Sequence, residues 1–225
     1  MTRKPLTFSA ICIAGLSALC LYTWLTLPEL DRYPVHWNIK GEANGFASRT
    51  GVLGVLFMMP ITQIFVAGLL HFLAKLEPLQ RNLSESRGAY NAVWILTMAF
   101  LTFVGAIICY IYISKNGLDT AMFLRSITVM MSLLFIGIGN QFGKVRQNFI
   151  FGIRTPWTLS SELSWEKTHR IGSRLFVLAG VIGLLLALLK PEFAVVGIVT
   201  ALLTAVLICA VYSYIIWKDD PKKRQ

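Results

Sequence analysis

The chain is expected to fold as an all-α bundle of six transmembrane helices. Three observations predict it: charged residues are scarce, long stretches carry none at all, and the polar residues gather in two loops. Asp, Glu, Lys and Arg make up 14% of the 225 residues while 56% are apolar, whereas soluble domains carry about a quarter charged residues. The charge-poor stretches run over residues 4–29, 51–74, 88–114, 125–143, 175–189 and 193–217. Crossing the hydrocarbon takes about 20 apolar residues, and lipid offers no partner to a backbone N–H, so each stretch must satisfy its own hydrogen bonds as a helix.

The first stretch is too long for the apolar core of a secretory signal, and no small-x-small cleavage site precedes Pro28, so it is expected to be a spanning helix. The fifth is short and reaches spanning length only if Arg174 and Lys190 snorkel to the two interfaces. Arg125, near the outer end of the fourth span, either snorkels or is buried against Glu29, Asp31 or Asp119, and the sequence leaves both open. Cys12, Cys20, Cys109 and Cys209 all fall inside spans and read as small apolar residues, with no disulfide and no metal spacing.

Basic residues set the expected orientation. With the N-terminus inside, the outer segments hold only Arg32, Lys40, Arg49, Lys115 and Lys190; nearly all other Lys and Arg fall on the inner side. This bias places both termini in the cytoplasm of a bacterial cell membrane. The net charge of +10 then reflects attraction to the lipid bilayer, and no direct nucleic-acid partner is expected. The layout divides into an N-terminal two-span unit, residues 1–75, and a four-span unit, residues 76–225.

Function is sought in the two long loops. The first, residues 28–50, contains Pro28 and Pro34, which favour extended backbone, and Gly41, Asn44 and Gly45, which supply turns. It is expected to form short extended pieces folded over the outer helix ends, with His36 and Trp37 at headgroup level. The alternatives are a plain cap or a surface that recognises something arriving from outside.

The second loop, residues 144–174, includes GIRTPWTLSSELSWEKTHR. Gly152 and Pro156 bracket a turn. Arg154 can fork onto a carboxylate or phosphate. Ser160 or Ser161 can cap a helix whose first turn holds Glu162. Trp165, His169 and Gly172 share one helical face, and Glu166 and Arg170 form an i, i+4 pair. The bland reading is an amphipathic helix on the inner membrane surface, anchored by its Trp residues. A di-iron site needs two Glu-x-x-His pairs and the chain has only Glu166 with His169, so no metal or other cofactor is expected.

This connector resembles the signature of the SdpI family of bacterial membrane immunity proteins. The match runs through Gly152, Ile153, Arg154, Thr155, Pro156, Trp157, Thr158 and Leu159, with Glu162, Trp165 and Arg170 following at the family spacing. The outer loop resembles the small domain of unknown function that accompanies the family, through Leu27, Pro28, Pro34, His36, Trp37, Asn38 and Gly41. The resemblance implies resistance to a secreted antimicrobial peptide toxin, with the protein also holding a cytoplasmic winged-helix repressor at the membrane. The residues expected to carry this are Asn140, Asn148, Arg154, Thr155, Trp157, Thr158, Glu162, Trp165 and His169, with Arg154 paired to Glu162 and with Trp157 and Trp165 at the interface. The competing function is a small transporter of amphipathic peptide or lipid. Its spans are poor in the polar residues that mark such a route. An enzyme is not expected, because no nucleophile–base pair shares a helix face.

Overall fold

A computed structural model describes residues 3–38, 42–114 and 120–223. The spans are α1 (Arg3–Leu25), α2 (Arg49–Leu76), α4 (Arg87–Ile113), α5 (Thr120–Phe142), α7 (Glu162–Leu189) and α8 (Pro191–Lys218), all six long and apolar enough to cross a membrane. Two short helices, α3 (Gln80–Glu85) and α6 (Pro156–Ser160), and one hairpin, β1 (Tyr33–Trp37) with β2 (Ala43–Ala47), complete the described chain.

The outside of the bundle is apolar: Phe65, Leu185, Leu189, Leu207 and Val211 all point outward and exposed. An apolar belt of this extent needs lipid around it. Inside, the helices meet through small residues. A Cβ on Gly180 would stand 2.7 Å from the Ser132 carbonyl oxygen, and one on Gly139 would stand 2.9 Å from that of Ser173. Only glycine lets α5 and α7 approach this closely, which is how helices gain packing where burial from water gives no drive. On the other side, α1, α2 and α4 share two buried clusters, one around Leu16, Cys20, Leu56 and Cys109, the other around Cys12, Ala67, Trp94 and Met98.

The fifth span is longer than its charge-free stretch. The polar residues before Leu175 do not form a separate helix on the membrane surface; α7 is continuous from Glu162. Its first turns stay regular because Ser164, Trp165, Thr168, His169 and Gly172 are buried against the rest of the bundle while Glu166, Lys167 and Arg170 face outward. Arg125 is exposed, so of the two possibilities the structure shows the unburied one. All four cysteines are free and buried. The outer turn near Asn116, with Lys115 and Asp119, lies outside the described residues.

The outer loop is ordered, as its Pro and Gly pattern suggests. The strands pair antiparallel, Tyr33 opposite Ala47 and His36 opposite Gly45, with irregularities on either side of His36. Three contacts hold the hairpin, one within the outer loop and two to helices α4 and α5. The Tyr33 hydroxyl donates to the Pro28 carbonyl at 2.5 Å, the Tyr112 hydroxyl donates to the Pro34 carbonyl at 2.7 Å, and Trp37 lies against Phe123. His36 Nδ1 donates to Asn44 Oδ1, and the Asn38 amide donates to Glu42. Gly41 and Lys40 lie outside the described residues.

Candidate functional site

The connector between α5 and α7 lies at the end of the bundle where α2 and α8 finish and α4 begins. Its backbone cannot continue a helix, so its polar groups need other partners. Asn148, fully buried, supplies several. Its Oδ1 accepts from the N–H groups of Ile150 and Phe151, both at 2.9 Å, and its Nδ2 donates to the Arg146 carbonyl. Gln147 caps the end of α6: its amide donates to the carbonyls of Thr158 and Leu159 at 2.8 and 3.0 Å.

Gly152 turns the chain at φ 118°, in the region that favours glycine. A Cβ there would lie 2.5 Å from His169 Nε2 and 3.2 Å from the Trp165 ring. That close approach brings the Ile153 N–H onto His169 Nε2 at 2.9 Å. Because Nε2 accepts, the ring proton sits on Nδ1, which donates to the Trp165 carbonyl at 2.8 Å. The imidazole is stacked on the Trp165 indole with centroids 4.1 Å apart, and the indole N–H donates to the Val145 carbonyl. Trp165 is therefore a buried pillar tying both ends of the connector together, not a membrane-interface anchor.

The Thr-Pro-Trp-Thr segment forms α6. Thr155 is its N-cap, with Thr155 and Thr158 exchanging side-chain and backbone hydrogen bonds in a capping box, and Pro156 takes the first turn, where its missing N–H costs nothing. Thr155 also shares a 3.0 Å hydrogen bond with Ser213 of α8. Trp157 packs edge-on against Tyr214 and is partly exposed. Ser161, not Ser160, caps α7, accepting from the Ser164 N–H.

Two expected ion pairs do not form. The Arg154 guanidinium donates to the Phe149 carbonyl, folding the connector on itself, while Glu162 stays at the exposed start of α7. Glu166 pairs with Arg146 at 3.4 Å rather than with Arg170, and Arg146 also reaches Glu85. Asn140 is exposed on α5 and takes no part in the connector network. Arg170 is exposed and lines an open groove of about 430 Å³ with Lys144, Arg146, Glu162 and Glu166. The groove is thus of mixed charge.

Sequence reasoning missed two carboxylates. Glu77, buried just past α2, accepts from the Leu79 N–H with one oxygen and the Phe149 N–H with the other, both at 3.0 Å. Asp220, two residues past α8, accepts from the Ser161 hydroxyl at 2.5 Å and the Lys222 N–H at 2.9 Å. The Ser161 hydroxyl, then the Lys222 amide, hold its carboxyl below the ordinary aspartate range. Glu77 carries one signal in the sequence, an acid directly before Pro78 at the end of a span. Asp220 carries none, since it reads as part of a charged tail.

Fold and site together define a class: a six-span integral membrane protein whose polar connector is locked to the ends of its own helices. Residues 144–217, from the start of the connector to the end of α8, match the SdpI/YfhL protein family, and residues 10–64, spanning α1, the hairpin and half of α2, match a domain of unknown function, DUF1648. Over the connector and its last two helices the chain is thus similar to the SdpI/YfhL family. It is 24% identical to Immunity protein SdpI of Bacillus subtilis (strain 168) over 223 residues, 97% of each chain. No solved structure matches it.

Proposed function

We propose that this protein is an immunity protein of the bacterial cell membrane that gives resistance to a secreted peptide toxin. The observation that carries the reading is the alignment, over 97% of both chains, with a relative named as an immunity protein, taken with the connector that the family match covers. In this reading the termini and connector face the cytoplasm, as the distribution of Lys and Arg supports, and the hairpin carrying His36 and Trp37 faces the toxin. Resistance then comes from binding, not from catalysis. A finer part of the same reading gives the mixed-charge groove at the connector a cytoplasmic winged-helix repressor as its partner. Signalling of that kind requires toxin and repressor to prefer different states of the bundle.

The experiment is expression in a toxin-sensitive strain challenged with candidate secreted peptides. Protection by the wild type, weakened by Arg154→Ala at equal membrane abundance, supports the reading; equal protection by both removes the connector from it. Sidedness is tested by labelling Thr155→Cys in intact cells with an impermeant thiol reagent, against the background of four buried native cysteines. Labelling before permeabilisation would place the connector outside and overturn the orientation.

A further inference from the structure

A second site lies at the same end of the bundle, lined by residues other than those of the groove. A cavity of about 110 Å³ opens between the start of α1, the end of α2, α3 and the start of α4. A water needs only about 10–15 Å³ of such space, so a group much larger than one water fits. Leu6, Leu83 and Trp94 give it apolar walls, and His71, Ser84 and Arg87 line it with hydrogen-bonding groups. Among the described residues no Asp or Glu lines it.

Among the described residues, two of these groups lack partners. His71 Nδ1 is buried with no hydrogen bond. Among the described residues Arg87 has no carboxylate: the neighbouring Glu85 is shared between Arg81 and Arg146. A buried imidazole nitrogen without a partner is costly, and an exposed guanidinium beside it attracts an anion with forked acceptor oxygens. The cavity also sits where spanning helices end, which is the depth of lipid headgroups, and its walls suit the apolar part of a lipid better than a hydrated ion. We propose that it binds the phosphodiester headgroup of an anionic phospholipid, with Arg87 meeting the phosphate charge and His71 donating from Nδ1. Basic pockets between spanning helices recognise headgroups by this chemistry.

The site touches the connector. Leu83 and Trp94 belong to the cluster against which Ile150 and Phe151 pack, and Tyr90, which also lines the cavity, lies edge-on to Phe151 with centroids 5.2 Å apart. A bound headgroup therefore stiffens the wall that supports the connector. This holds independently of the immunity reading and of which way the bundle faces.

The test uses the full-length protein in a neutral detergent, with phosphatidylglycerol, phosphatidylcholine and inorganic phosphate as probes, read by native mass spectrometry and by thermal melting. The wild type should retain one phosphatidylglycerol in preference to phosphatidylcholine and melt higher with it. Arg87→Gln should weaken that binding about tenfold, the size expected for loss of a charge-assisted hydrogen bond. His71→Leu, which keeps the wall apolar, should also weaken it, while Arg81→Gln, a fully solvated control, should not. Equal binding of both lipids, or unchanged binding in Arg87→Gln and His71→Leu, would overturn the proposal. Competition by inorganic phosphate at the same concentration as the lipid would make this a free-anion site and overturn the lipid assignment.

Discussion

The backbone N–H of Ile153 ends on the imidazole of His169, 16 residues further along the chain, at 2.9 Å. The bond fixes the connector to the first turns of α7 and fixes the tautomer of His169 at the same time. His169→Phe would keep the ring on Trp165 but leave the Ile153 N–H without an acceptor. An unsatisfied buried donor costs about 1–3 kcal/mol. The variant is expected to melt below the wild type in detergent, and amide exchange in a peptide covering Ile153 should accelerate while exchange in the apolar half of α7 stays unchanged.

Gly152 makes that bond possible. Gly152→Ala would carry a side chain at φ 118° and press its Cβ against His169 Nε2. The backbone conformation alone costs on the order of 1–3 kcal/mol for a residue with a Cβ. The expected result is a clear drop in melting temperature together with a change in near-ultraviolet circular dichroism as Trp165 shifts. Gly143→Ala is the control, since a Cβ there meets nothing within 4 Å; it should be neutral.

Much of this was legible in the sequence and some was not, for identifiable reasons. The six spans follow from charge-free length, because lipid tolerates no other backbone solution. The shared face of Trp165, His169 and Gly172 follows from helical spacing, and all three are buried together. The extended pieces of the outer loop follow from Pro34, Gly45 and their neighbours, while their pairing as a hairpin does not. What spacing could not give was the partner of each polar group. Trp165 looked like an interfacial anchor because charged residues surround it in sequence; what buries it is packing against Ala89, Val145, Phe151 and Leu159, with its N–H satisfied by the Val145 carbonyl. Residues 162–174 looked like a surface helix because their polarity was visible, but their burial depends on α5 and α8. Glu77 and Asp220 accept from backbone and hydroxyl donors more than 50 residues away, and no local pattern encodes that.

The absence of an Arg154–Glu162 pair has a measurable consequence. Arg154→Ala removes a donor from the Phe149 carbonyl, whereas Glu162→Ala removes a favourable charge from the start of α7, worth about 0.3–1 kcal/mol through the helix dipole. These are separate losses. A double-mutant cycle on melting free energy should therefore give a coupling within about 0.5 kcal/mol of zero, the range for residues that do not interact. A larger favourable coupling would mean that the two side chains meet in the membrane-embedded protein.

Asp220 latches the tail to the connector. Its carboxylate accepts from the Ser161 hydroxyl, and Ser161 also caps α7, so one contact joins the end of α8 to the start of α7. The sign of its pH dependence follows from the lowered pKa. A carboxyl held below its ordinary value of 3.8 contributes stability that is present above that value and is lost as pH falls through the folded one. The latch should be closed at neutral pH and stay closed through mildly acidic conditions. Hydrogen exchange in the C-terminal peptide, corrected for the intrinsic rate at each pH, should show protection that is constant from neutrality down to about pH 5 and falls below 3.8. Asp220→Asn should lose that protection at neutral pH and make the chain more readily cut by trypsin after Lys222, with the rest of the bundle unchanged. If protection in the wild type instead falls between pH 5 and 7, another group holds the tail.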